Sequence, residues 1–174
     1  GFELSVAVDE LDRARFMEVG PDGTLFVSQP HLGEIKALRD QDGDGYFETR
    51  TTFVKDHPTV HGLRWHDGWL WFTESGAVFK GRDTDGDGVA DEVRTVIPKG
   101  RLPEGGGHWW RSIAIHDGRI YTSIGDRGNI TPDLDSERMK IWTFNLEGRD
   151  KQLFASGLRN TEKLVIRPGT DELW

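Results

Sequence analysis

Four stretches of this chain repeat one pattern: FMEVGPDGTLFVSQP (16–30), LRWHDGWLWFTES (63–75), SIAIHDGRIYTSIGD (112–126) and LVIRPGTDELW (164–174). In each, an alternating or apolar run leads into PDG, HDG or PGTDE, and an aromatic or β-branched run follows. That is the signature of two strands joined by a Gly-assisted turn. The turn glycines Gly23, Gly68 and Gly118 lie 45 and 50 residues apart, close to the length of a four-stranded propeller blade. Each interval also holds a second strand pair: GEIKALRD with ETRTTFV, AVFKGRD with EVRTVI, and KIWTFNL with KQLFAS. The pattern therefore predicts an all-β chain, a β-propeller of four-stranded antiparallel blades over 16–54, 60–97 and 108–156. A fourth blade, from 160, stops at Trp174 in its second strand. About three and a half blades are expected, part of a six-bladed ring that would need roughly twice this length at about 45 residues per blade. ELSVAV (3–8) is expected to be the outer strand that latches the last blade of a full ring.

Composition agrees with strands and tight turns. Seven Trp, nine Phe and 22 Gly in 174 residues suit aromatic strands, whereas Gly weakens a helix interior by about 1 kcal/mol per position. The absence of Cys excludes a disulfide framework and zinc–thiolate sites but does not decide compartment. A formal charge of −8 argues against nucleic acid or an anionic membrane as partner and favours bound cations. No run approaches the roughly 18–20 apolar residues of a membrane span, and GFELSVAV lacks the regions of a signal peptide, so an export signal is expected to have been removed already.

Two blades carry matching acidic loops, DQDGDGYFE (Asp40 to Glu48) and DTDGDGVAD (Asp83 to Asp91). Both place acids at positions 1, 3, 5 and 9 and Gly at position 6, so alternate side chains turn inward around a sharp bend and offer hard oxygen ligands. Position 12 is Thr51 or Arg94 rather than Glu, which excludes the EF-hand. The loops resemble the calcium-binding hairpins of integrin-type propellers. One Ca2+ site is expected from Asp40, Asp42, Asp44 and Glu48, and another from Asp83, Asp85, Asp87 and Asp91. Four converging carboxylates repel unless a cation neutralises them. The role expected of the metal is to staple long hairpins, and the other possibility is a solvated acidic turn that binds nothing.

Chemistry in a propeller is sought where loops enter the inner strands. Three such entrances carry His61 in VHGLRW, His108 in GGGHWWRSIAI, and Arg159 with Asn160 in GLRNTEKL. A neutral imidazole, a guanidinium and an amide facing one axis form a candidate general base, anion stabiliser and orienting partner. His61 is read as a substrate contact. His66 and His116 belong to HDG turns, and His31 and His57 to loops, so none of these is assigned a function. The run Gly105 to Gly107 lacks a following GK[ST] or helix, which rejects phosphate binding.

GGHWWRSIAIHDGRIYTSIGDRGN followed by LFASGLRNTEKLVIRPGTDELW resembles the corresponding stretch of the soluble pyrroloquinoline quinone (PQQ) dependent sugar dehydrogenases, the glucose, aldose-sugar and sorbosone dehydrogenases. The likeness is specific over about 105–174 and looser before it. It implies His108 as the base that takes the sugar hydroxyl proton, Arg159 as the cation facing the quinone, and Asn160 as a cofactor contact. It also implies PQQ and Ca2+ as cofactors, a small sugar as substrate, an electron acceptor of unknown identity and a periplasmic or secreted location. Gly107 stands where glucose-oxidising members carry an acid, and Thr161 where Pro usually follows GLRN, so the particular sugar stays open. Further cofactor ligands are expected beyond Trp174, which predicts that this stretch alone is inactive. Another possibility is a non-catalytic, calcium-stabilised propeller that binds carbohydrate or protein. A lactonase-type hydrolase lacks the required Glu, Asp and Asn cluster at the entrances.

Overall fold

A computed structural model describes residues 1–131 and 135–174. Twelve strands form three antiparallel sheets in chain order. The first sheet is β1 (Met17–Val19), β2 (Leu25–Gln29), β3 (Glu34–Arg39) and β4 (Thr49–Val54). The second is β5 (Leu63–His66), β6 (Trp69–Glu74), β7 (Ala77–Arg82) and β8 (Glu92–Ile97). The third is β9 (Ile113–His116), β10 (Arg119–Ile124), β11 (Lys140–Asn145) and β12 (Gln152–Ser156). The first strands β1, β5 and β9 neighbour one another around a common axis, the arrangement of consecutive propeller blades. Beyond β12 the chain makes an isolated antiparallel bridge between Ile166 and Leu173. Among the described residues there is no helix, and so none long and apolar enough to cross a membrane.

The turn chemistry explains the tight first hairpins. β5 and β6 are joined by Asp67 and Gly68, and β9 and β10 by Asp117 and Gly118, with φ of 48°, 74°, 46° and 67° in that order. Two consecutive left-handed residues make a primed turn, whose twist matches that of the strands and for which Asp-Gly is a favoured pair. In the first blade the same junction takes five residues, Gly20 to Thr24, and Asp22 accepts hydrogen bonds from the Thr24 N–H and hydroxyl. One feature common to all three blades is not visible in the repeat: the register slips once between third and fourth strands, at Ile35/Lys36, Val78/Phe79 and Ile141/Trp142. A bulge at the same place in each outer strand increases its local twist.

Strand alternation splits the core between blades. In β6, Leu70 and Phe72 face the first blade and pack with Phe26, Ile35 and Phe53. Trp71, between them, faces the third blade and packs with Ile113, Ile120 and Phe144. The second sheet is thus apolar on both faces because a blade covers each of them. Side chains also staple the blades together. The Arg111 carbonyl accepts from Gly62 N–H (3.1 Å) and Thr73 Oγ1 (2.8 Å). One blade further on, the Thr161 carbonyl accepts from Ser112 Oγ (3.1 Å) and Ser123 Oγ (3.0 Å). Residues 3–8 form no strand. The Ala7 carbonyl accepts from the Phe47 N–H at 2.8 Å, which sets this segment against the first acidic loop.

Candidate functional site

Register sorts the loops into two ends. His66 pairs with Trp69 and Arg82 with Glu92, which puts the HDG turn and the loop 83–91 at one end of the second blade. Glu74 pairs with Ala77 and Val78 with Ile97, so His61 and the segment 98–112 lie at the other. His108 and Arg159 belong to this second, entrance end.

Asp126 joins them. Its carbonyl accepts from the His108 N–H (3.2 Å), and its own N–H donates to the Arg159 carbonyl (2.8 Å). Gly125 sits in the angle between the two segments. A Cβ there would stand 2.5 Å from the His108 Cβ and 3.1 Å from Asn160 Oδ1, so the two segments approach too closely for any side chain at this position. Burial pushes the Asp126 carboxyl pKa up, but main-chain hydrogen bonds from Thr131 and Gly128, and the Thr131 hydroxyl, outweigh it and hold the group below its ordinary value. Asp126 is therefore a charged brace for the loop that follows it. Arg159 reaches over that loop and donates from Nε and Nη2 to the Asn129 carbonyl and side-chain oxygen. It meets no carboxylate among the described residues, and its Nη1 makes no hydrogen bond there. Asn160 Nδ2 donates to Glu162 at 2.8 Å.

Two buried arginines hold the His108 turn from beneath. Arg111 donates from Nη1 to the carbonyls of His108 and Trp110 (both 3.0 Å) and from Nη2 to that of Pro103 (2.9 Å). Arg138 donates to the carbonyls of Glu104, Gly105 and Gly125. Burial, reinforced by the nearby Arg138 charge, pulls the Arg111 pKa down to about 10. The glycine run that the sequence sets aside as a phosphate loop is gripped at Gly105 by Arg138 and flanked on both sides by carbonyls that Arg111 holds.

His61 lies deeper than the expected substrate contact. It is fully buried, with its ring 4.2 Å from Phe16 and 4.4 Å from Trp110 between centroids, and Nδ1 lies 3.2 Å from the Arg111 carbonyl. Burial lowers its pKa to about 4, and the Arg15 and Arg111 charges add to the effect, so the ring is neutral at ordinary pH. Trp110 stacks on Trp109 at 3.6 Å, which places His61 third in a column of four rings. Sequence reasoning missed Arg111, Arg138 and the two tryptophans. The available signal was the run WWR between an entrance His and an apolar strand.

At the opposite end the acidic loops fold alike. Asp40 accepts from the N–H groups of Gly43 (2.7 Å) and Gly45 (2.9 Å), and Asp83 from those of Gly86 and Gly88 (both 2.7 Å). Glu48 and Asp91 close the loops on the N–H groups of Gln41 and Thr84. Oxygens of Asp40, Asp42, Asp44 and Glu48 gather within 4.8 Å of one another, as do those of Asp83, Asp85 and Asp91, while Asp87 stays outside its cluster. Arg39 and Thr51 hold the main chain on either side of Asp87, donating to the carbonyls of Gly86 (2.7 Å) and Gly88 (2.8 Å).

Residues 17–164 match the family described as domain of unknown function DUF7133. No curated protein matches the chain in sequence. Among solved structures it is similar to the holo form of the pyranose dehydrogenase PQQ domain from Coprinopsis cinerea, at 17% identity and TM-score 0.75 over 89% of this chain and 41% of that one. It is similar to the apo soluble aldose sugar dehydrogenase of Escherichia coli, at 20% identity and TM-score 0.70 over 98% and 58%. It is also similar to a chain of a nidogen/laminin complex, at 18% identity and TM-score 0.57 over 83% and 49%. At such identities the likeness is one of fold, and the chain spans roughly two fifths to three fifths of these longer chains.

Proposed function

This chain belongs to the family of domain of unknown function DUF7133, and we propose that the protein it represents is a PQQ-dependent oxidoreductase acting on a sugar or a related alcohol or aldehyde hydrate. The observation that carries this reading is the convergence of His108, Arg159 and Asn160 on Gly125 and Asp126. The donor set suits an oxygen-rich quinone: the Arg159 guanidinium, whose Nη1 makes no hydrogen bond among the described residues, and the Asn160 carboxamide, both brought beside the His108 turn by the Gly125–Asp126 main chain. Arg159 and Asn160 are the residues that would hold the group. When bound, PQQ accepts the hydride, which no protein side chain can take.

The chain's own residues do the rest. His108 removes the substrate hydroxyl proton onto its imidazole, a contribution of about 100- to 10,000-fold in rate. Arg111, gripping the His108 carbonyl, fixes the turn that aims the ring. Arg159 supplies positive charge where negative charge develops, worth roughly 3–4 kcal/mol by analogy with an oxyanion donor.

The acidic loops are read as structural calcium sites, one built from Asp40, Asp42, Asp44 and Glu48, the other from Asp83, Asp85 and Asp91. Exposed loops of this kind suit the abundant calcium outside the cytoplasm, which fits a periplasmic or secreted protein. The electron acceptor is left open, and a dye stands in for it.

The test uses the full-length protein with PQQ and calcium supplied, screened with aldoses and polyols by dye reduction. Turnover is expected, with His108→Ala losing at least about 100-fold while PQQ binding persists, and Arg159→Ala weakening both. If PQQ does not bind and no sugar reduces the dye, the reading fails. A non-catalytic propeller that binds carbohydrate or protein at this end would then replace it.

A further inference from the structure

Beside the His108 turn, between the second and third blades, a cleft of about 330 Å³ is lined by Trp109, Thr59, Ser75, Lys99 and Glu104, among others. We infer that it is a carbohydrate subsite, taking one neutral pyranose ring of an oligosaccharide whose neighbouring ring is presented to His108. The place beside His108 rests on the oxidoreductase reading, whereas the binding itself does not.

The platform comes first. One face of Trp109 is backed by Trp110 at 3.6 Å, Trp110 by the buried His61, and His61 by Phe16. Arg15 lies over Trp110 at 4.4 Å from the ring centroid. The indole is thus half-buried and held in place before any ligand arrives, so little rotamer freedom is left to lose on binding.

The polar rim comes second. Thr59 Oγ1 accepts from the Ser75 N–H (2.9 Å), and Ser75 Oγ from the Gly105 N–H (2.8 Å). Both hydroxyl protons stay available to donate. Lys99 adds an ammonium, anchored 3.3 Å from the buried carboxylate of Glu74. The Glu104 carboxylate has no hydrogen-bond or ion-pair partner among the described residues, its main-chain carbonyl alone being held by Arg138. The Glu104 Cγ crosses Gly76, where a Cβ would stand 2.3 Å away and φ is +93°, so the glycine lets the acid lie over the cleft.

An apolar plate edged by donors and a free carboxylate acceptor matches a pyranose, which has an apolar C–H face and a rim of hydroxyls that both donate and accept. Glu104 and Glu74 disfavour an anionic sugar. The volume is at the low end of ligand pockets, about 300–1,000 Å³, which suits one ring. Trp109 directly follows His108, so that ring would adjoin the one being oxidised.

The probes are glucose, cellotriose, maltotriose and xylotriose, titrated without PQQ and read by tryptophan fluorescence and calorimetry. At least one trisaccharide is expected to bind tenfold or more tightly than glucose. Trp109→Ala should weaken that binding at least tenfold, and the exposed Glu104→Gln at least threefold with the melting temperature unchanged. If no trisaccharide binds, or if binding is indifferent to both substitutions, the subsite is wrong. Dye reduction separates this from the oxidoreductase reading: trisaccharide binding without turnover keeps the subsite and removes the enzyme. Glucose turnover with no preference for a trisaccharide does the reverse.

Discussion

The two ends of the blades solve one problem with opposite charges. At the entrance end, buried arginines gather main-chain carbonyls: Arg111 holds three and Arg138 three more. At the other end, half-buried aspartates gather main-chain N–H groups, with Asp40 and Asp83 each accepting from two glycines. Either device satisfies backbone groups that no ladder reaches. They differ in what balances the charge. Arg111 has no carboxylate within ion-pair reach among the described residues, and its carbonyl partners form part of the fold. The carboxylates of the first acidic loop are mostly exposed and close together, and beyond the main-chain N–H groups they accept, their repulsion is relieved by water or by a cation. The entrance end should therefore respond to mutation and proton binding, and the opposite end to metal.

The largest expected effect is at Arg111. Arg111→Met would leave the carbonyls of Pro103, His108 and Trp110 without their donor, at roughly 1–3 kcal/mol for each group that water cannot reach. The release of a buried unpaired charge offsets part of this, so a net loss of about 3 kcal/mol is expected, or a melting temperature lower by roughly 6–12 °C for a chain of this size. Arg111→Lys should fall between the two proteins, because an ammonium cannot span the same three acceptors. A loss below about 1 kcal/mol would mean that the guanidinium is ornamental, and the contrast between the ends would break.

Next in size is a pH effect at the same end. The His61 pKa is near 4 in the fold, against an ordinary value of 6.5. Between those values the unfolded chain takes up a proton that the folded chain refuses. His61's contribution is thus fully present above about pH 6.5 and shrinks as pH falls, with about 3 kcal/mol lost by pH 4. Urea unfolding from pH 7 to pH 4 should show this, and His61→Leu should flatten the curve relative to the natural protein. If both slopes agree, His61 does not stay neutral.

Much of this fold could be read from the sequence, because strand alternation and Asp-Gly turns are local. The pairing of Gly68 and Gly118 with a preceding Asp predicted two hairpins that the structure closes in two residues. The shared bulge went unread, since it adds its residue close to the end of each outer strand, where too little alternation follows to show the shift. At the candidate site, His108, Arg159 and Asn160 were legible as residues at blade entrances, whereas their meeting on Asp126 depends on the spacing between blades. Arg111 was read past for a physical reason. An arginine among tryptophans before a strand looks like an exposed cation, and only the path of the loop above it turns it inward. Burial likewise moved His61 from an expected contact to the backing of a stack.

The smallest expected effect divides the two acidic loops, which share one sequence pattern. In the second loop, Arg39 Nη2 lies 3.6 Å from Asp83 Oδ2, so part of the charge that would attract a cation is already met. In the first loop no ion pair involves Asp40, Asp42, Asp44 or Glu48 among the described residues. Calcium should therefore bind twice with unequal affinity, the first loop tighter, in a calorimetric titration of chelator-treated protein. Saturating one site a hundredfold above its Kd would add about 2.7 kcal/mol, and Asp40→Asn should remove most of the tighter event. Arg39→Gln should then strengthen the weaker event, because the ion no longer competes with a guanidinium for Asp83. The Arg39–Asp83 pair is partly exposed, and such pairs are worth about 0.2–1 kcal/mol, so the gain should be no more than about fivefold, and the gap between the sites should narrow without closing. Two equal sites before the substitution would show that the guanidinium does not set the difference, and no heat at millimolar calcium would show that both loops are solvated turns.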